Sequence, residues 1–269
     1  MRALFVGDVF AKPGRRVLKS YLSQERQKQN IDVVIVNVEN LAGGAGITVE
    51  TVEELFKSGV DVMTSGNHAW DKKEEAHIAF KKYYYLLRPA NYPYFEAAPT
   101  PGKGSVIFKK DNLKVGVINV QGRVFLQNID CPFKKVVEEI EILKKETPLI
   151  FVDVHAETTA EKQALAWYVD GEVSGVFGTH THVQTADERI LEKGTAFISD
   201  AGMTGAYDSV IGSKKDQAIQ KFLTGTKVRY EPAKDNVILC GVIVDVEDKT
   251  GKALSIERVQ WQEKVQSNN

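Results

Sequence analysis

The sequence predicts an α/β fold of two stacked sheets with helices outside, and three observations predict it. The first half alternates short apolar runs with amphipathic stretches in a β-α-β-α-β-α order, which argues for parallel strands joined by right-handed crossovers. Several runs, such as Val33–Val38 and Leu149–Val154, are apolar without alternation, as strands buried on both faces are. Two hairpin patterns, one in mid-chain and one near the end, add antiparallel strands to each half.

The elements follow in order. Ala3–Val6 is the first strand, and a helix runs from about Gly14 to Gln29 with Pro13 suited to its first turn. Val33–Val38 is the second strand. Glu50–Lys57 is a short amphipathic helix closed by Gly59. Val60–Thr64 is the third strand, and Asp71 with Glu74 forms a capping box for the next helix. Arg88–Gly104, with four prolines and two tyrosines, reads as a structured loop. Ser105–Phe108 and Lys114–Val120 pair across Asp111-Asn112. Pro132–Glu146 has helical spacing, and Thr158 with Glu161 opens a helix through Tyr168. Val237–Val246 and Ala253–Trp261 form a long hairpin turning at Asp248–Gly251. No linker, repeat or low-complexity segment interrupts the chain, so residues 1–269 are expected to form one domain with a frayed tail from about 264 to 269.

Composition narrows the function classes. The chain has 269 residues, 43% apolar and 26% charged, as soluble globular proteins have. A formal net charge of -1 argues against a protein that coats nucleic acid. It leaves room for a nucleotide substrate held by metal ions. Cys131 and Cys240 form no CxxC and suggest neither a disulfide framework nor a thiolate zinc site. They read as reduced thiols of a cytoplasmic enzyme. The first apolar run ends at Asp8, too early for a signal-peptide core, and no stretch is long enough to span a membrane.

Polar residues cluster where the strands end. Asp8, Glu39-Asn40, Asn67-His68, His155 and His180-Thr181-His182 each close an apolar run. Ligands of open α/β sheets bind beyond the carboxyl ends of the strands. Each residue alone has a bland reading: Asp8 as a cap, Asn67 as a turn, His155 as a satisfied core histidine. Together, two carboxylates, two amides and several imidazoles make a metal site, expected to hold two ions. His180 and His182 reach one cluster only if the backbone bends, and Gly178 is the residue expected to allow it. His77 lies mid-helix and reads as a surface residue. Gly44-Ala45-Gly46 lacks the third glycine of a dinucleotide loop, since Val49 stands there. No P-loop and no G-x-S-x-G motif is present.

In this order, Gly7-Asp8, Glu39-Asn40, Gly66-Asn67-His68, Val154-His155 and Gly178-Thr179-His180-Thr181-His182 resemble the motifs of the calcineurin-like metallophosphoesterases. Four positions depart from the usual pattern. Phe10 stands where the first histidine would be, Glu39 where a bridging aspartate would be, and Ala69 where an acidic residue follows G-N-H. One residue is inserted between Gly178 and His180. These departures resemble the YmdB-like branch, as do Asn40–Thr48 and Ser199–Gly205.

The resemblance implies a four-layer αββα sandwich of two mixed sheets flanked by helices. It implies that Asp8, Glu39, Asn40 and His182 hold one ion, and Glu39, Asn67, His155 and His180 the other. The ions would be Fe or Mn, with Zn also suited. A hydroxide between them would attack phosphorus, and His68 would act as general acid. It further implies a phosphodiesterase for 2′,3′-cyclic nucleotides, including RNA-derived ones, with no membrane partner and with homo-oligomerisation left open. A metal- or nucleotide-sensing regulator, a phosphomonoesterase and a metal-dependent amidohydrolase are the competing readings. The Arg88–Gly104 loop, with Tyr92, Tyr94 and Phe95, is a candidate to pack near a nucleobase, beside the blander reading of simple loop packing for each of them.

Overall fold

The computed structural model describes residues 1–262, so the tail expected to fray lies outside the described residues. The elements in chain order are β1 (Arg2–Val6), α1 (Ala11–Glu25), β2 (Val33–Asn37), α2 (Val49–Lys57), β3 (Val62–Thr64), α3 (Lys73–Lys82), β4 (Ser105–Lys110), β5 (Leu113–Gln121), α4 (Pro132–Leu143), β6 (Ile150–His155), α5 (Thr159–Tyr168), β7 (Gly175–Thr179), β8 (Arg189–Ile190), β9 (Ala196–Ile198), β10 (Gly205–Ala206), α6 (Lys215–Thr224), β11 (Val237–Val246) and β12 (Ala253–Gln262).

Two mixed sheets result. In the first, the order β10-β11-β1-β2-β3 is extended by β12, which pairs with β11; β1, β2 and β3 are parallel and β11 is antiparallel to β1. In the second, β4-β5-β6-β7-β9-β8, the strands β5, β6, β7 and β9 are parallel. The predicted hairpins are β4–β5 and β11–β12.

Strand parity builds the layers. Leu4, Val6, Val34 and Val36 pack with Val17, Leu18 and Tyr21 of α1 and Leu55 of α2. Their strand neighbours Ala3, Phe5, Val33 and Ile35 face the other way, against Val117, Phe151 and Phe177 of the second sheet. The far face of that sheet, with Ile118, Val120 and Val152, packs on Val136 and Ile140 of α4 and Leu165 of α5. Helices, sheet, sheet and helices thus stack through three apolar layers, because side chains alternate along each strand.

Local chemistry sets several element ends differently from expectation. α1 begins at Ala11, ahead of Gly14, because the Gly14 amide already bonds the Phe10 carbonyl at 3.1 Å; Pro13 still falls in the first turn. α2 has a capping box that the sequence reading missed, Thr48 with Thr51. Conversely, α3 has no side-chain cap, since Lys72 precedes it and Asp71 is engaged elsewhere. At α5, Thr158 caps the Glu161 amide as expected, but the Glu161 carboxylate turns to the amides of Arg123 and Val124. Among the described residues, no helix is long and apolar enough to cross a membrane.

Candidate metal centre

The carboxyl ends of β1, β2 and β3 in one sheet and of β6 and β7 in the other deliver all the predicted side chains to one place. Asp8 lies two residues past β1 and Glu39 two past β2, and both are buried. His155 ends β6, and His180 directly follows β7. Gly66 explains the G-N-H spacing: a β-carbon there would lie 2.2 Å from the His155 ring. Only glycine lets Asn67 come round against that imidazole.

Two groups of donors form. Glu39, His155 and His180 offer ligand atoms within 4.8 Å of one another, and so do Asp8, Glu39 and His182. The His155 Nε2 is 3.1 Å from Glu39 Oε2, 2.9 Å from Asn67 Oδ1 and 3.1 Å from His180 Nδ1. On the other side, His182 Nε2 is 3.3 Å from Asn40 Oδ1 and 3.9 Å from Asp8 Oδ1. Glu39 is common to both groups.

The rear of each ring is committed. His155 Nδ1 lies 2.9 Å from Thr179 Oγ1, which lies 2.8 Å from Asp153 Oδ1. Asp153 also accepts from Asn37 at 2.9 Å and Thr64 at 2.5 Å. A carboxylate only accepts, so the Thr179 hydroxyl donates to Asp153 and accepts from His155 Nδ1–H. His182 Nδ1 lies 3.0 Å from the Ile211 carbonyl, which makes it the protonated nitrogen. His180 Nε2 faces Glu157 Oε2 at 2.9 Å. Rear partners of this kind set the tautomer of a metal-binding histidine, and here they turn three nitrogens inward. The Asn40 amide likewise donates to the Gly44 carbonyl at 3.0 Å, leaving its oxygen toward His182.

The donor set fits cations. Asp8 Oδ1 and Glu39 Oε1 are buried and find no hydrogen-bond partner among the described residues. A buried carboxylate oxygen without a partner is costly, and a cation removes that cost. With protein charges alone, burial pushes the Asp8 carboxyl up. Burial opposes ionisation of Glu39 too, but the His155 charge and hydrogen bond hold it at about 2. The same partnership outweighs burial at His155 and raises it to about 9, while burial and the His155 charge lower His180 to about 3. A proton on His155 thus supplies positive charge that a metal ion would otherwise bring.

One expectation about the backbone is corrected. The bend after β7 falls on His180 and His182 themselves, with φ of 99° and 64°, and not on Gly178. Gly178 is needed for a different reason, since a β-carbon there would sit 1.8 Å from the Ser199 carbonyl oxygen. The strained loop is tied down by Asp200, which accepts from the Thr181 amide at 3.1 Å and its hydroxyl at 2.7 Å. Asp200 is in turn paired with the fully buried Lys162 at 2.8 Å.

His68 stands at the rim, half exposed, with its amide bonded to Glu39 and its Nδ1 2.7 Å from Asp71 Oδ2. His77 stays outside, against Trp70. Residues missed by sequence reasoning are Asp71, Asp153, Glu157, Thr179, Lys162 and the Ile211 carbonyl. Asp153 carried a signal, a charge inside the apolar run Phe151-Val152-Asp153-Val154; Ile211 acts through its backbone and carried none. The Arg88–Gly104 loop does not line the cavity over the cluster. Tyr94 and Phe95 project into solvent, and Tyr92 packs on Trp70.

Comparison with known proteins identifies a family. Residues 4–259 match the family model described as YmdB-like protein. The chain is 48% identical over 259 residues to a 2′,3′-cyclic-nucleotide 2′-phosphodiesterase of Bacillus subtilis (strain 168), covering 96% of each. It superposes on the crystal structure of a hypothetical protein from Thermus thermophilus with a TM-score of 0.90 at 37% identity, covering 98% of this chain and 100% of that one. A novel phosphatase from Mycoplasma pneumoniae gives a TM-score of 0.90 at 37% identity, covering 97% and 93%. The calcineurin-like phosphoesterase YfkN from Bacillus subtilis shares the fold alone, with a TM-score of 0.58 at 11% identity over 97% of this chain and 90% of that one. With the family model spanning nearly all of the described residues, the chain belongs to the YmdB-like protein family.

Proposed function

We propose that the protein is a dinuclear metal-dependent phosphodiesterase that hydrolyses 2′,3′-cyclic nucleotides to monophosphates. The observation that carries the reading is the convergence of Asp8, Glu39, His155, His180 and His182 with the Asn40 and Asn67 oxygens, where one oxygen of each carboxylate is buried and finds no partner among the described residues. The name of the 48% identical relative supports the substrate class. Asp8, Glu39, Asn40 and His182 would hold one ion, and Glu39, Asn67, His155 and His180 the other. Bound ions supply positive charge for phosphate oxygens and acidify a water molecule. Donors without thiolate suit Fe, Mn or Zn, and our choice is Fe and Mn.

The chain's own residues do the rest. Glu39 belongs to both donor groups and would be shared by both ions. Asp71 receives the Nδ1–H of His68, so Nε2 is the nitrogen free to hand a proton to the leaving oxygen. In a 2′,3′-cyclic ester that oxygen stays tethered to the ribose, so one acid at the rim suffices. RNA ends bearing such cyclic phosphates are a source of the same chemistry. Two free cysteines support a reducing, cytoplasmic setting.

The test is a panel of 2′,3′-cyclic, 3′,5′-cyclic and linear phosphodiesters and phosphomonoesters with added Mn2+. The 2′,3′-cyclic esters should react fastest. Fastest turnover of monoesters would make the protein a phosphatase. Metal binding without any turnover would make it a sensor.

A further inference from the structure

We infer that the cavity over the metal centre contains a nucleobase subsite, in which Phe222 is the stacking residue that favours base-bearing esters over base-free ones. This inference rests on the phosphodiesterase reading above and names the part of the substrate that reading leaves unplaced.

One cavity of about 570 Å³ covers the cluster, within the ~300–1,000 Å³ range of small-molecule sites. Its lining is of two kinds. Glu39, Asn40, His68, His180 and His182 form the polar cluster. Phe10, Ile211, Phe222, Tyr230 and Pro232 add carbon surface, with Ser213, Lys221 and Glu231 among them. A phosphate engages only the polar cluster. The carbon surface suits a flat, largely apolar group. The base of a 2′,3′-cyclic nucleotide is one ribose ring away from its phosphorus, and the apolar wall begins beside the cluster. There the Phe10 ring meets the His182 ring edge-on, with centroids 5.7 Å apart.

The wall has a fixed part and a free part. Phe10 is buried and wedged between Gly44 and Gly212, where β-carbons would lie 2.6 and 2.7 Å from its ring. It is a floor held by its packing. Phe222, from α6, also lines the cavity and is 82% exposed. Tyr230 is partly exposed, and Lys221 Nζ lies 5.4 Å from its ring centroid. The acidic side chain on this wall, Glu231, is engaged by Lys214 at 2.6 Å. An exposed phenylalanine on the wall of a polar-headed cavity gains by covering its face, and a base offers a face whatever its identity. The subsite therefore reads a base by stacking and discriminates weakly among bases.

The experiment compares Phe222→Ala, Phe222→Trp and wild type on 2′,3′-cyclic AMP and on glycerol 1,2-cyclic phosphate, which keeps the five-membered ester and lacks a base. Stacking worth ~1–3 kcal/mol corresponds to roughly 5- to 150-fold. Phe222→Ala should lower the ratio of kcat/KM for the nucleotide over the glycerol ester by about 10- to 100-fold, mainly through KM. Phe222→Trp should keep or raise that ratio. Leu223→Ala, a neighbouring exposed side chain outside the cavity, should leave it unchanged. An unchanged ratio in Phe222→Ala, with wild type active on the nucleotide, overturns the subsite and leaves the phosphodiesterase reading standing. Absence of wild-type activity on any 2′,3′-cyclic nucleotide overturns both.

Discussion

His68 Nδ1 lies 2.7 Å from Asp71 Oδ2, three residues on in the chain. Both side chains are more than a third exposed, so the pair contributes little to stability. Its consequence is orientation. His68→Ala should lower the rate on unactivated diesters by about 10²–10⁴. Asp71→Asn should lower it by about 10- to 100-fold, the range found when a histidine loses its orienting partner. Losses should be smaller on p-nitrophenyl esters, whose leaving group needs little protonation. The double mutant should be no worse than His68→Ala, because Asp71 acts only through His68. Additive losses, or loss of metal, would contradict this.

Glu39 is the carboxylate shared by both donor groups. Glu39→Gln removes the charge at constant shape. Metal content measured by mass spectrometry should fall well below two ions per chain, and turnover should vanish, with the far-UV circular dichroism unchanged. Full occupancy and normal turnover would remove Glu39 from its bridging place.

Metal binding should release protons. In the metal-free protein, partnership with Glu39 holds His155 at about 9, so at pH 7 it carries a proton that an incoming ion must displace. Apparent affinity should fall by about tenfold per pH unit on acidification below 9, and calorimetry in buffers of different ionisation heat should register the proton. The same shifts govern the stability of the metal-free protein. His155 is raised above its ordinary value of 6.5, so its contribution is complete below about 6.5 and is lost as pH rises through 9. Glu39 is depressed to about 2, so its contribution is complete above 4.5 and is lost as pH falls toward 2. Thermal unfolding in chelator should therefore peak between about pH 4.5 and 6.5 as far as this pair is concerned.

Thr179 presents the oxygen that fixes His155. Thr179→Val keeps the shape and removes that acceptor, and metal affinity should fall by about 10- to 100-fold. Thr179→Ser should restore it. Equal affinity in the valine variant would show that His155 holds its tautomer without Thr179.

Lys162 is fully buried against Asp200. Lys162→Met leaves the Asp200 charge unpaired and should cost about 3–5 kcal/mol of stability, read as a lower Tm. Because Asp200 also anchors Thr181, metal affinity should fall with it.

Much of the architecture was legible in the sequence. Apolar runs without alternation marked the central parallel strands, and turn residues marked both hairpins, because strand burial and turn geometry are dictated by neighbouring residues. The positions of Asp8, Glu39, Asn40, Asn67, His155, His180 and His182 were legible for the same reason: each closes such a run, and parallel strands bring their ends to one edge. Tertiary structure alone decided which ring nitrogens face inward, since Thr179, Glu157 and the Ile211 carbonyl approach from other elements. It also placed the bend on His180 and His182, where Asp200 and Lys162 hold a backbone that local preference disfavours. Contacts between residues far apart in the chain leave no periodic trace in it, so these features arise only when the two sheets close on each other.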